Sequence, residues 1–176
     1  MDKVLVIVDM QNDFITGSLA NDDAVKIVPN IVNLAGAWQG RIIFTRDTHK
    51  AGYMNTQEGK YLPVEHCIED TDGWQIQDDI HAAALNNGNA SVSCVNKPAF
   101  GAGTLLYHEI MRGGEPSEVT FVGTCTDICV VSNALILKSF LTETPIKVIG
   151  DCCAGLTREK HESALDVMRS CQIDVI

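Results

Sequence analysis

Three side chains from distant parts of the chain have the types and settings needed for one nucleophilic site. Cys129 lies within Val119 to Leu137, VTFVGTCTDICVVSNALIL, where a β-branched apolar run gives way to helical spacing at Ile128, Val131 and Leu135. Gly123 ends the run, and Thr126 and Asp127 are helix-starting residue types. Cys129 is therefore expected in the first turn of a helix, just past the carboxyl end of a strand. Unpaired N–H groups and the helix dipole would there favour a thiolate; the competing reading is a small buried core residue. Asp9 directly follows the apolar run Lys3 to Val8, and Lys97 follows the strand-like Ala90 to Val95. Both thus fall on the same rim, where open α/β sheets bind their ligands. In such a site Cys129 attacks, Asp9 accepts its proton and returns it to a leaving amine, and Lys97 keeps Asp9 ionised. Backbone N–H groups at the helix start would cradle an oxyanion.

A second group of residues has the chemistry of metal ligands. The strand-like Arg41 to Thr45 runs into Arg46-Asp47-Thr48-His49, and from there to about Gly73 the chain is polar and irregular. Segments of that kind inside compact domains are functional or disordered. This one carries Asp47, His49, Glu58, His66 and Cys67. Asp47 and His49, two apart at a strand end, can face one side, and a solvated polar loop is the plainer alternative.

The elements that must position these residues follow from periodicity. Asp22 or Asp23 is expected to cap a helix with apolar spacing at Ala24, Ile27, Val28, Ile31 and Leu34, in which Pro29 marks a first turn or a kink. Trp74 to Leu85 reads as an interrupted helix, Thr104 to Arg112 as a helix ended by Gly113-Gly114, and Arg158 to Ser170 as another. Pro145 to Ile149 reads as a fifth strand running into Asp151-Cys152-Cys153, and Ile173 to Ile176 as a short edge strand. This alternation predicts an α/β fold, a three-layer αβα arrangement around a doubly wound parallel sheet. Residues 1–176 are expected to form one domain.

Composition excludes several classes. A formal charge of −10 argues against nucleic acid or an anionic membrane as partner. Seven cysteines without the framework of a small secreted domain point to a reducing, cytoplasmic setting. The opening MDKVLVIVDM is too short and acidic for a signal peptide, and no run approaches a membrane span. A G-x-S-x-G elbow is absent, and Gly101 and Gly103 make only G-x-G, which disfavours dinucleotide binding.

Taken in order, Val8-Asp9-Met10-Gln11-Asn12-Asp13-Phe14, Thr45-Arg46-Asp47-Thr48-His49, His66-Cys67, Lys97 and Gly123-Thr124-Cys125-Thr126-Asp127-Ile128-Cys129-Val130 resemble the isochorismatase-like cysteine hydrolases, most closely their nicotinamidase branch. The resemblance implies six strands in the order 3-2-1-4-5-6 and a triad of Cys129, Asp9 and Lys97. It also implies a cis Thr124–Cys125 peptide and oxyanion donors at the N–H groups of Cys125 and Cys129. It implies one divalent metal (zinc first, iron or manganese otherwise) held by Asp47, His49, Glu58 and His66, with Phe14 as an aromatic wall. The implied activity is hydrolysis of a small amide, nicotinamide foremost, in the recycling of NAD. A related hydrolase of a carbamoyl or ureido compound, or a redox thiol protein of the same fold, are the alternatives. Relatives are often homo-oligomers. The chain departs from nicotinamidases at Leu62-Pro63, where they carry Trp-Pro, at Cys125, commonly Ala, and at Pro98-Ala99-Phe100-Gly101.

Overall fold

The computed structural model describes residues 2–176. Its centre is a six-stranded parallel sheet in the order β3-β2-β1-β4-β5-β6, as the resemblance implies. The strands are β1 (Lys3–Val8), β2 (Gly40–Asp47), β3 (Ala90–Lys97), β4 (Glu118–Thr124), β5 (Ile146–Ala154) and β6 (Asp174–Val175). The helices are α1 (Asn12–Ile15), α2 (Asp22–Ala37), α3 (Gln57–Tyr61), α4 (Asp78–Leu85), α5 (Thr104–Met111), α6 (Val131–Phe140) and α7 (Arg158–Ser170).

β1 shows why the sheet is covered on both faces. Its apolar residues alternate between two cores, as the period of a strand requires. Val4, Val6 and Val8 pack with Leu106 and Ile110 of α5, Ala134 and Leu137 of α6, and Leu165 and Met168 of α7. Leu5 and Ile7 pack on the opposite face with Ile27 and Ile31 of α2 and Ile80 of α4. A strand buried on both sides reads as the unbroken apolar run seen in the sequence.

Three details differ from expectation. Helix α2 is capped by Asn21, whose side chain accepts from Asp23 N at 2.9 Å, and not by Asp22 or Asp23. Pro29 lies inside it; both Pro29 and Val25, one turn earlier, are exposed, so the carbonyl left unpaired faces water. Strand β5 extends to Ala154, beyond the expected Ile149. Its register against β4 shifts between Phe121↔Val148 and Gly123↔Cys153, a bulge that hides the second half of the strand from a periodicity argument.

Parallel register brings the strand ends level. Val8 pairs with Thr45 on one side and Gly123 on the other, and Asp47 pairs with Lys97. The β1–β4 contact is so close at Gly123, where φ is +117°, that a Cβ would collide with the backbone of Val8. Gly123→Ala is therefore expected to lower stability by about 2–4 kcal/mol in chemical denaturation. Gly36→Ala, at a helical position with nothing within 4 Å, is expected to raise it by about 0.5–1 kcal/mol.

Candidate active site

Asp9 leaves β1 with φ +48° and is wholly buried. Its N–H donates to Thr45 O at 3.1 Å, and the Thr45 hydroxyl donates to its Oδ1 at 2.6 Å. Oδ2 lies 2.7 Å from Lys97 Nζ but out of line for a hydrogen bond, so this buried oxygen keeps a lone pair for another donor. Lys97, also 0% exposed, ends β3. Its ammonium donates to Ala99 O at 3.1 Å, Asp47 Oδ1 at 3.4 Å and Cys129 Sγ at 3.6 Å. The residues named from the sequence as a triad are thus brought together at one point.

Cys129 sits where β4 turns into α6. The Thr124–Cys125 peptide is cis. Cys125 O then accepts from Ile128 N at 3.1 Å and Val130 N at 3.0 Å, the latter closing a wide π-type turn over Thr126–Val130. The side chain of Asp127 leaves its own helix uncapped and accepts from Leu156 N at 2.9 Å, which ties the turn to the chain after β5.

Electrostatics weigh against one expectation. Burial pushes the Cys129 thiol well above its ordinary range, the Asp9 carboxylate adds to this, and Lys97 only partly offsets them. Burial beside a carboxylate therefore opposes the thiolate that the helix start favours. Burial likewise raises Asp9, against the lowering by Lys97. Burial also opposes the charge on Lys97, but Asp9, Cys129 and Asp47 more than offset it and hold the ammonium protonated.

The polar segment after β2 is ordered and folds back on itself. His49 N donates to Cys67 O at 3.0 Å and Glu69 N donates to His49 O at 2.9 Å, a short parallel bridge that returns His66 to His49. Tyr53 is buried against both imidazoles, with ring centroids 4.7 Å from His49 and 5.0 Å from His66. Thr56 caps α3 by accepting from Gly59 N at 3.0 Å, and Glu58 sits in the first turn of that helix. Asp47, His49, Glu58 and His66 consequently present ligand atoms that all lie within 4.8 Å of one another. Asp47 Oδ2 is 3.1 Å from His49 Nε2 and 3.5 Å from His66 Nε2, and Glu58 Oε1 is 3.7 and 3.9 Å from the same nitrogens.

These donors fit a divalent transition metal. His66 Nδ1 donates to Val64 O at 2.8 Å, which turns Nε2 and its lone pair toward the cluster. Two imidazoles and two carboxylates suit zinc, iron(II) or manganese(II) better than a softer ion. Burial disfavours the charge on Asp47, but the neighbouring imidazoles of His49 and His66 and the charge of Lys97 hold it well below the usual carboxylate range. Cys67 contributes only backbone: its N–H donates to Asp13 Oδ2 at 2.7 Å.

Several supporting residues escaped the sequence reading. Gln11 is fully buried, donates to Asp47 O and Trp74 O, each at 2.9 Å, and accepts from Asp47 N at 2.7 Å. Thr45, Tyr53 and Asp13 support Asp9 and the loop as described. Only their place beside a site residue signalled them, because a buried glutamine or threonine has no distinctive spacing.

Thiol and ligand cluster open on one cleft of about 810 Å³. Phe14, Glu58 and His66 line it with Cys125, Cys129 and Ile128, and Leu62, Phe100 and Leu156 form its apolar rim. The Phe14 ring lies 5.7 Å from that of His66. All seven cysteines are free.

An α/β sheet with a thiol, a carboxylate and an ammonium at its rim defines a class of thiol hydrolase folds, and comparison with known proteins agrees. Residues 3–176 match the Isochorismatase domain. The chain belongs to that family. It is 25% identical to a nicotinamidase of Escherichia coli, over 92% of this chain and 87% of that one. Among solved structures it superposes on a nicotinamidase/pyrazinamidase of Bacillus subtilis with a TM-score of 0.84 and 25% identity, covering 99% of each chain. It also superposes on a pyrazinamidase of Pyrococcus horikoshii in complex with zinc, with a TM-score of 0.80 and 25% identity, over 100% of this chain and 99% of that one.

Elemental analysis of protein loaded with zinc, iron(II) or manganese(II) and then desalted is expected to find about one equivalent of metal. His66→Ala and Asp47→Ala are each expected to abolish its retention. Loading should also raise the thermal midpoint of the wild type and leave that of His66→Ala unmoved.

Proposed function

We propose that this chain is a cysteine amidohydrolase that converts nicotinamide to nicotinate and ammonia. The observation that carries this reading is the meeting of Cys129, Asp9 and Lys97 in the same cleft as the four ligand side chains. The relatives named nicotinamidase support the choice of substrate.

The residues divide the work as follows. Asp9 Oδ2 takes the Cys129 proton as Sγ attacks the carboxamide carbon, so thiolate forms only as it is used. Lys97 orients Asp9 and offsets the negative charge passed between carboxylate and sulfur. The N–H groups of Cys125 and Cys129 donate to the tetrahedral oxyanion. Asp9 then returns the proton to nitrogen, ammonia leaves, and a thioester remains on Sγ. Water entering the cleft gives its proton to Asp9 as it attacks the thioester, nicotinate departs, and the thiol is restored. Asp47, His49, Glu58 and His66 would hold a divalent metal, zinc foremost; such an ion supplies a Lewis acid for the pyridine nitrogen. Phe14 forms one wall for the ring.

No helix among the described residues is long and apolar enough to cross a membrane. A cytoplasmic place in the recycling of NAD accords with this chemistry. A second reading keeps the reaction and changes the substrate. The apolar Leu62 and Phe100 in the cleft lining would also admit another small amide such as a carbamoyl or ureido compound.

Ammonia release from nicotinamide tests both readings; release only from other small amides would favour the second. Cys129→Ala is expected to lower kcat by at least about 10³-fold with the fold retained by circular dichroism. The pH profile of kcat/KM should show an acid limb. Asp9 must be ionised to take the proton, and burial raises its pKa, so activity falls with decreasing pH through a midpoint above the ordinary carboxylate range. A profile with no acid limb would remove Asp9 as the base.

A further inference from the structure

Asn133, on α6 one turn after the nucleophile, is 1% exposed and makes three of the four hydrogen bonds its amide can form. Its Nδ2 donates to Cys129 O at 2.8 Å and to Phe100 O at 3.2 Å, and its Oδ1 accepts from Ala102 N at 2.8 Å. The last two partners belong to the loop that follows Lys97. That loop also supplies Ala99 O, which accepts from the Lys97 ammonium at 3.1 Å. One side chain therefore grips the nucleophile's own carbonyl and the loop that anchors its cationic neighbour.

Apart from this grip the loop is held by Ala102, buried in the core with Leu106, and by the bond from Lys97 to Ala99 O. Pro98, Ala99 and Phe100 are all exposed. Gly101 rests so closely on α6 that a Cβ there would collide with Ile136, which makes the contact possible but supplies no direction. A buried amide with three satisfied bonds does supply direction, because releasing it would leave buried polar groups unpaired.

We infer that Asn133 is a positioning residue that latches the Pro98–Gly103 loop to the nucleophile turn and thereby sets the spacing of Lys97 and Cys129. It touches neither substrate nor reacting atoms. The inference rests on the triad proposed above, but its readout, alkylation of the Cys129 thiol, needs no substrate.

Asn133→Ser separates the two grips. A serine hydroxyl can still bond the carbonyl four residues back, here Cys129 O, but is too short to reach the loop. The rate of iodoacetamide alkylation at Cys129, followed by peptide mass spectrometry, would be measured in four proteins: wild type, Asn133→Ser, Lys97→Met and the double variant. Asn133→Ser is expected to slow alkylation by about tenfold beside Lys97 and by less than about twofold in the Lys97→Met background, because the latch acts through Lys97. On nicotinamide the same variant should lose kcat with KM held. Leu137→Ala, a core change on the same helix, serves as a control for destabilisation; it should lower the thermal midpoint without changing the alkylation rate. Equal slowing in both backgrounds, no slowing, or matching slowing in Leu137→Ala would overturn the latch. The expected pattern in a protein that releases ammonia from no amide would sink the proposed reaction and leave the latch standing.

Discussion

A lysine ammonium held wholly inside the protein is the constraint on which the rest depends. Taking such a charge out of water costs several kcal/mol, and only close, well-placed anions and carbonyls repay it. Lys97 has them: Asp9 at 2.7 Å, Asp47 at 3.4 Å and Ala99 O at 3.1 Å. None of the three is adjacent to it in the chain. They are supplied by the end of β1, the end of β2 and the loop after β3. A sheet that brings parallel strand ends level can assemble this arrangement. The coupling runs both ways, since the Lys97 ammonium favours the charged form of Asp9 against its burial. Stability and chemistry thus draw on the same ion pair, and loss of either partner leaves an uncompensated charge in the core.

Much of this was legible in the chain because burial on two faces leaves a plain mark. The runs ending at Val8, Thr45, Val95 and Gly123 are strands, and the polar residues after them do share a rim. The order of the strands was not legible from periodicity. It came from the family resemblance, since apolar runs say that strands are central without saying who pairs with whom. Where the backbone departs from regular repeats, the reading stopped short. The bulge in β5 concealed its second half, and Pro29 looked like an interruption because its exposure was unknown.

The site itself shows a sharper division. Groups with rare chemistry, Cys129, Asp9, Lys97, Asp47, His49, Glu58 and His66, stood out by type and place, and the structure brings them together. Groups that hold them did not. Gln11, Thr45, Tyr53 and Asn133 are common residues whose importance lies entirely in what a long-range fold puts beside them. The thiol shows the same limit in energetic form. A helix start favours a thiolate by up to about 2 kcal/mol, whereas desolvation of a buried ion can shift a pKa by several units. Local sequence displays the first effect and conceals the second.

Asp47 joins the two halves of the site. Its Oδ2 faces His49 and His66, while its Oδ1 accepts from Lys97. A cation bound among the four ligands would draw electron density from this carboxylate and weaken its hold on the ammonium. Lys97 would then lean more on Asp9, its remaining anionic partner. One shared carboxylate therefore couples the ligand cluster to the ammonium beside the nucleophile. A separate metal loop and a separate triad would lack this link. Here it follows from the pairing of Asp47 with Lys97 across β2 and β3.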